Sequence, residues 1–134
     1  MVHKNAWFLD MNEIFKQEGY ELVGAAMEVY NFMGSGYLED VYQECLEREL
    51  TLRAIPFESQ PQLDLYYKGE KLSKYYRPDF YVYDGIVVEL KAIKKLGRDE
   101  MAQILNYLKG AEKRVGYLLN FGPSRELEWK RFVL

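Results

Sequence analysis

One cysteine and one histidine in 134 residues remove two large classes of chemistry. Cys45 alone cannot form an intramolecular disulfide, and His3 alone cannot build a histidine zinc cluster or serve as the base of an ordered nucleophilic dyad. Any metal chemistry must therefore rest on carboxylates. Long apolar runs are also missing. None approaches the roughly 18 residues that a membrane-spanning helix needs, and residues 1–10 lack a basic stretch leading into an apolar one, so a secretory leader is not expected. No repeat, low-complexity tract or Pro/Gly/Ser-rich linker divides the chain. With 49% apolar residues it has the mass for one core, needing neither disulfide nor metal to fold. The expectation is a single domain over residues 1–134, cytoplasmic and without membrane contact.

The net charge of -3 conceals an asymmetry. Residues 1–67 hold 4 Lys/Arg against 12 Asp/Glu, whereas residues 68–134 hold 14 against 9, so the halves carry -8 and +5. Arg77, Lys91, Lys94, Lys95, Arg98, Lys109, Lys113 and Arg114 make the second half a candidate polyanion-facing surface. Two solvated surfaces of opposite sign that attract each other would give the same counts.

Leu22, Val23, Ala26, Val29, Tyr30 and Met33 follow a 3.6-residue period, which predicts a helix over residues 18–33 ended by Gly34-Ser35-Gly36. A second helix is expected over residues 37–52, with Leu38, Val41, Tyr42, Cys45, Leu46 and Leu50 on one side. After Pro56 the period becomes two. Strands are expected over residues 62–67, 75–82 and 86–92, a helix over 99–113 with Asp99 as its N-cap, a buried strand over 115–121 and a last strand, at an edge, over 127–134.

The hairpin between residues 82 and 86 brings acids together. A two-residue loop would set Phe80 opposite Glu89. A three-residue loop, Tyr83 to Gly85 with Gly85 left-handed, pairs Val82 with Ile86 and Asp79 with Glu89. Only the second gathers Phe80, Val82, Ile86, Val88 and Leu90 on one face and Arg77, Asp79, Glu89 and Lys91 on the other. Facing carboxylates with Cβ atoms about 4.5–5.5 Å apart repel unless something positive lies between them. A hard divalent cation fits; a cross-strand ladder with Arg77 and Lys91 fits as well. Pro78 cannot donate to a sheet ladder, so a distortion or local edge is expected beside Asp79.

Pro78-Asp79, followed ten residues later by Glu89-Leu90-Lys91, resembles the PD-(D/E)XK nuclease superfamily. Gly36-Tyr37-Leu38-Glu39-Asp40-Val41-Tyr42 resembles the signature of the GxxExxY proteins within it, and Gln103-Ile104-Leu105-Asn106-Tyr107 resembles the QxxxY element of RecB-like members. The likeness runs over residues 18–122, with one departure at Tyr30, where relatives are expected to carry His. It implies an α/β, restriction-endonuclease-like αβββαβ core with an extra N-terminal helix and a C-terminal strand.

The resemblance further implies a Mg²⁺- or Mn²⁺-dependent nuclease acting on DNA in preference to RNA. Asp79 and Glu89 would hold the metal, with the Leu90 carbonyl as a third ligand and Glu39 contributing directly or through water; hard oxygen donors suit these ions. Lys91 would orient the attacking water or stabilise charge on phosphorus, and Gln103 would complete the catalytic set. Arg77, Lys94, Lys95, Arg98 and Tyr107 would contact nucleic acid. Bland readings stay open: Glu39 is favourable in a first helical turn regardless of chemistry, and Gln103 and Tyr107, at i and i+4, suit an ordinary helix-to-sheet contact. Tyr42 reads as a packing residue whose hydroxyl reaches the site edge. The alternative function is a catalytically silent nucleic-acid-binding or assembly module, and a homodimer or protein partner would supply any sequence specificity.

Overall fold

Apolar periodicity sets the elements, and the computed structural model describes residues 13–134. His3 and the rest of residues 1–10 lie outside the described residues. Helix α1 (Lys16–Met33) buries Leu22, Val23, Ala26, Val29 and Tyr30 and stops at Gly34, whose φ of 79° suits glycine and whose N–H returns to the Tyr30 carbonyl at 2.8 Å. Helix α2 (Glu39–Leu52) buries Tyr42, Leu46 and Leu50. The Tyr42 hydroxyl donates to the Gly34 carbonyl at 2.5 Å and its ring stacks on Phe121 at 4.5 Å. It therefore closes the loop between the two helices and does not reach the site edge.

Beyond Pro56 come β1 (Phe57–Ser59), β2 (Leu63–Tyr67), β3 (Glu70–Tyr76), β4 (Phe80–Val82), β5 (Ile86–Lys91), α3 (Arg98–Gly110), β6 (Val115–Asn120) and β7 (Glu128–Val133). The main sheet has the order β1-β4-β5-β6-β7, in which β5 and β6 are parallel and joined through α3 while the other pairs are antiparallel. The last strand lies at an edge, as its position in the sequence suggests. Strands β2 and β3 form a separate two-stranded ribbon. One sheet face packs Phe80, Val82, Ile86, Val88 and Leu90 against α1 and α2. The other packs Tyr81, Val87 and Leu118 against Ile104 and Leu108 of α3 and Leu63 and Tyr76 of the ribbon.

Three expectations are corrected. The strand over residues 75–82 is two strands, because the chain leaves the ribbon at Tyr76 and joins the main sheet only at Phe80; Pro78 sits in the break, where no ladder N–H is required. Strand β1, three residues long, carries too little alternation to be read from sequence. Helix α3 is capped from Gly97, not Asp99: the Glu100 side chain accepts the Gly97 N–H at 2.7 Å, and the helix ends at Gly110.

Asn120 is the one fully buried polar residue among the described residues. Its Oδ1 accepts the N–H groups of Ile93 (3.0 Å) and Gly122 (3.1 Å), and its Nδ2 donates to Glu128 Oε1 at 3.0 Å, which also accepts the Leu96 N–H at 2.9 Å. This clip fastens the loop after β5 to β6 and β7. Gly122 lies so close to Ile93 that a Cβ there would strike its backbone. Gly122→Ala is expected to destabilise the protein by about 1–3 kcal/mol, the usual cost of overpacking, measured as a fall in the denaturant midpoint with an unchanged slope.

Candidate functional site

Register decides the site. Val82 pairs with Ile86, Tyr81 with Val87 and Phe80 with Val88, so the next step of the same ladder sets Asp79 against Glu89. The loop is the expected Tyr83–Asp84–Gly85, but the left-handed residues are Tyr83 (φ 55°) and Asp84 (φ 51°), not Gly85. Gly85 meets a different demand: a Cβ there would collide with the Phe15 ring. The Tyr83 hydroxyl donates to Glu21 at 2.6 Å, tying the turn to α1.

Asp79 is held at both ends. Its carbonyl accepts the Gln60 N–H at 2.9 Å and Gln43 Nε2 at 3.0 Å, and its Oδ2 accepts the Leu90 N–H at 2.7 Å. Gln43 also bonds Ser59 Oγ at 3.0 Å, so α2 and β1 both fix this one residue. Gln60 adopts φ 50°, a left-handed backbone that costs a non-glycine residue about 1–2 kcal/mol. The strained residue is the one that holds the Asp79 carbonyl.

Glu89 is half-buried on the α3 side of the sheet. The Tyr76 hydroxyl donates to its Oε2, and the Tyr76 ring, 5% exposed, stacks on Tyr107 at 4.1 Å and 11°. Burial is the main cause that pushes the Glu89 carboxyl up to about 7; the charge of Asp79 and a hydrogen bond to it add to the rise, while the Tyr76 hydrogen bond and Lys91 oppose it. Burial and the neighbouring Glu89 push the Tyr76 hydroxyl well above the usual range, so it remains a donor at physiological pH.

The salt-bridge ladder is not formed. Among the described residues no Lys, Arg or His nitrogen lies within 4 Å of Asp79 or Glu89. Arg77 turns away, donating to the Gln60 carbonyl at 2.8 Å and lying 5.4 Å from the Tyr75 ring centroid. Period two does not carry through Pro78, which is why Arg77 leaves the face assigned to it. The two carboxylates are thus close and partly buried, with Lys91 acting on Glu89 from beyond salt-bridge distance.

Glu39, at the start of α2, is exposed and shares a cleft of about 220 Å³ with Asp40, Gln43, Gln60, Asp79 and Leu90. Glu89 is outside that lining, and among the described residues no three His, Cys, Asp or Glu side chains converge as a metal cluster. The side chains present offer two close carboxylates, with Glu39 on the cleft wall and the Leu90 backbone beside them. That set fits Mg²⁺, which usually takes one or two carboxylates and retains water. Lys91 is half-buried, and its carbonyl accepts the Phe121 N–H at 2.8 Å.

Other expected residues fall elsewhere. Gln103 is exposed, and neither it nor Tyr107 bonds Lys91; Tyr107 instead backs Tyr76. Lys94, Lys95 and Arg98 are exposed on the segment fastened by Asn120. Tyr30 donates to the Pro123 carbonyl at 2.5 Å, a packing role that joins α1 to the loop after β6. Sequence reasoning missed Tyr76, Gln43, Gln60 and Asn120. Asn120 had left a signal, as a lone polar residue inside the apolar run of residues 115–121; Gln43 had left none.

The raised Glu89 carboxyl makes stability depend on pH. Folded protein binds this proton more tightly than unfolded chain, whose carboxyl titrates near 4.5, so the contribution is complete below about 4.5 and is lost as pH rises through about 7. Glu89→Gln has no such loss. In thermal melts without metal, the variant is expected to gain on wild type as pH rises from 4.5 to 7, and the gap should then level off; a gap independent of pH contradicts the assignment.

Comparison with known proteins follows the same lines as the geometry. No curated protein matches the chain. A solved structure titled "Crystal structure of SSO0001" is similar with a TM-score of 0.54 at 19% identity, over 70% of this chain and 48% of that one, so the chain spans about half of that protein; this likeness concerns the fold. The family model of the PD-(D/E)XK nuclease superfamily matches residues 16–132, from the first turn of α1 into β7, a span that contains Pro78, Asp79, Glu89 and Lys91. With most of its length matched, the chain belongs to the PD-(D/E)XK nuclease superfamily.

Proposed function

We propose that the protein is a divalent-metal-dependent phosphodiesterase that cleaves nucleic acid, DNA in preference to RNA, and that within its superfamily it is a GxxExxY protein. The observation that carries the reading is the Asp79–Glu89 pair, which is brought together by register and locked by Tyr76 and the Leu90 N–H with no cation within 4 Å. Asp79 and Glu89 would hold Mg²⁺ or Mn²⁺, assisted by the Leu90 carbonyl and, through water, by Glu39. When bound, such an ion lowers the pKa of water and polarises a phosphate oxygen. Lys91 orients the attacking water and stabilises charge on phosphorus. Lys94, Lys95 and Arg98 position the phosphate backbone, and Gln103 and Tyr107 border the substrate path. A cytoplasmic location suits a chain with a single cysteine, and among the described residues no helix is long and apolar enough to cross a membrane.

One observation favours a second reading. Only two carboxylates converge, and a site short of a third acid suits a silent nucleic-acid-binding or assembly module, alone, as a homodimer or with a protein partner. Cleavage separates the two. With Mn²⁺, wild type is expected to cut DNA and Glu89→Gln to fall by at least about a hundredfold while still melting in one cooperative transition; equal cleavage by the variant removes Glu89 from the mechanism. Replacing Lys94, Lys95 and Arg98 together by Ala is expected to flatten the log-log salt dependence of DNA affinity by about 2–3 units, since each phosphate contact on duplex DNA releases roughly 0.9 counterion. An unchanged slope takes this segment off the binding surface.

A further inference from the structure

Apart from Tyr76, which bonds Glu89, the ribbon of β2 and β3 is the part of the molecule that the metal-site reading leaves unused. Residues 63–77 carry four cations, Lys68, Lys71, Lys74 and Arg77, against two acids, Glu70 and Asp64, the latter across the ladder from Tyr75 and 3.7 Å from Lys71. Every residue of β3 except Tyr76 is exposed. Side chains alternate along a strand, so with Tyr76 turned inward onto Tyr107, Tyr75 must face outward. Its ring is 46% exposed, and the Arg77 guanidinium lies 5.4 Å from the ring centroid. Arg77 is fixed in turn by the Gln60 carbonyl at 2.8 Å, and Gln60 lines the cleft that contains Asp79. A flat cation-aromatic platform therefore stands at the cleft rim, within about 14 Å of Asp79 along four residues of chain.

We propose that this Tyr75–Arg77 platform binds an unpaired nucleic-acid strand, stacking one base and holding the adjoining phosphate, so that single-stranded segments are what the cleft receives. The proposal rests on the nuclease reading for what happens at Asp79, but not for the binding itself. Two features favour an unpaired strand. A base within a duplex has both faces covered by its neighbours and cannot lie on a tyrosine or guanidinium plane, whereas an unpaired base can. Charge also sets the approach: the opposite wall of the cleft is α2, which carries Glu39, Asp40, Glu44, Glu47 and Glu49 against Arg48 alone. A polyanion is repelled there and attracted along the ribbon.

The test is fluorescence anisotropy with a labelled 15-residue oligothymidylate and a blunt 15-base-pair duplex, in EDTA so that nothing is cut. Wild type is expected to bind the single strand at least about tenfold more tightly than the duplex. Tyr75→Ala should weaken single-strand binding about tenfold or more, as loss of one base stack does, while Tyr75→Phe restores it. Tyr20→Ala, which removes another exposed tyrosine (75%) on α1, should leave it unchanged. Arg77→Gln should reduce the salt slope by about one unit. Thermal melts of each variant show whether the fold is intact. Equal affinity of wild type and a folded Tyr75→Ala for the single strand, or tighter binding of the duplex, overturns the proposal. A parallel Mn²⁺ cleavage assay keeps the two ideas apart. Single-strand binding through Tyr75 without any cleavage supports the platform and overturns the nuclease reading; cleavage of both substrates with no effect of Tyr75→Ala does the reverse.

Discussion

Two carboxylates facing each other in a partly buried place, with no cation within 4 Å of either, are the constraint around which the rest of the structure is arranged. In isolation the arrangement is unfavourable, since burial and like charge both oppose ionisation. It persists because the surroundings over-determine it. Hairpin register puts Asp79 opposite Glu89, the Leu90 N–H fixes one carboxylate, and the Tyr76 hydroxyl fixes the other. The energetic consequence is a Glu89 carboxyl pushed up to about 7. A divalent cation held there, as proposed above, would take the place of the proton.

Holding that pair takes contributions from both sides of the main sheet. On one side α2 reaches across with Gln43 to the Asp79 carbonyl, and the strained Gln60 backbone adds a second donor. On the other side α3 supplies Tyr107, against which Tyr76 stacks. Farther along, Asn120 and Glu128 fasten the segment that carries Lys94 and Lys95. Hydrophobic burial on both faces sets the positions of these elements, and a handful of buried hydrogen bonds converts those positions into fixed side-chain directions.

The hairpin register was legible because Phe80, Val82, Ile86, Val88 and Leu90 can share a buried face in only one of the two registers considered. The helices were legible for the same reason, within a few residues at their ends. What the sequence did not reveal depended on contacts between distant elements. Arg77 was assigned to the carboxylate face by an alternation that Pro78 interrupts, and in the structure it serves the ribbon. Tyr76 could not be matched to Glu89, because its direction follows from how the ribbon packs on α3. Gln103 was expected in the catalytic set or in a helix-to-sheet contact beside Tyr107, yet it stays exposed one turn before it. Gly85 was read as a conformational glycine, whereas the ring of Phe15 is the reason a side chain does not fit there.

The account's central claim is that Asp79 and Glu89 form one divalent-metal site. Calorimetric titration of Mn²⁺ into wild type and Asp79→Asn at pH 8, above the Glu89 transition, tests it most directly. The account predicts saturable binding to wild type and a loss of at least about tenfold in affinity for the variant, with both proteins folded to the same extent. Equal affinity in the two proteins, or no binding to folded wild type, would contradict it.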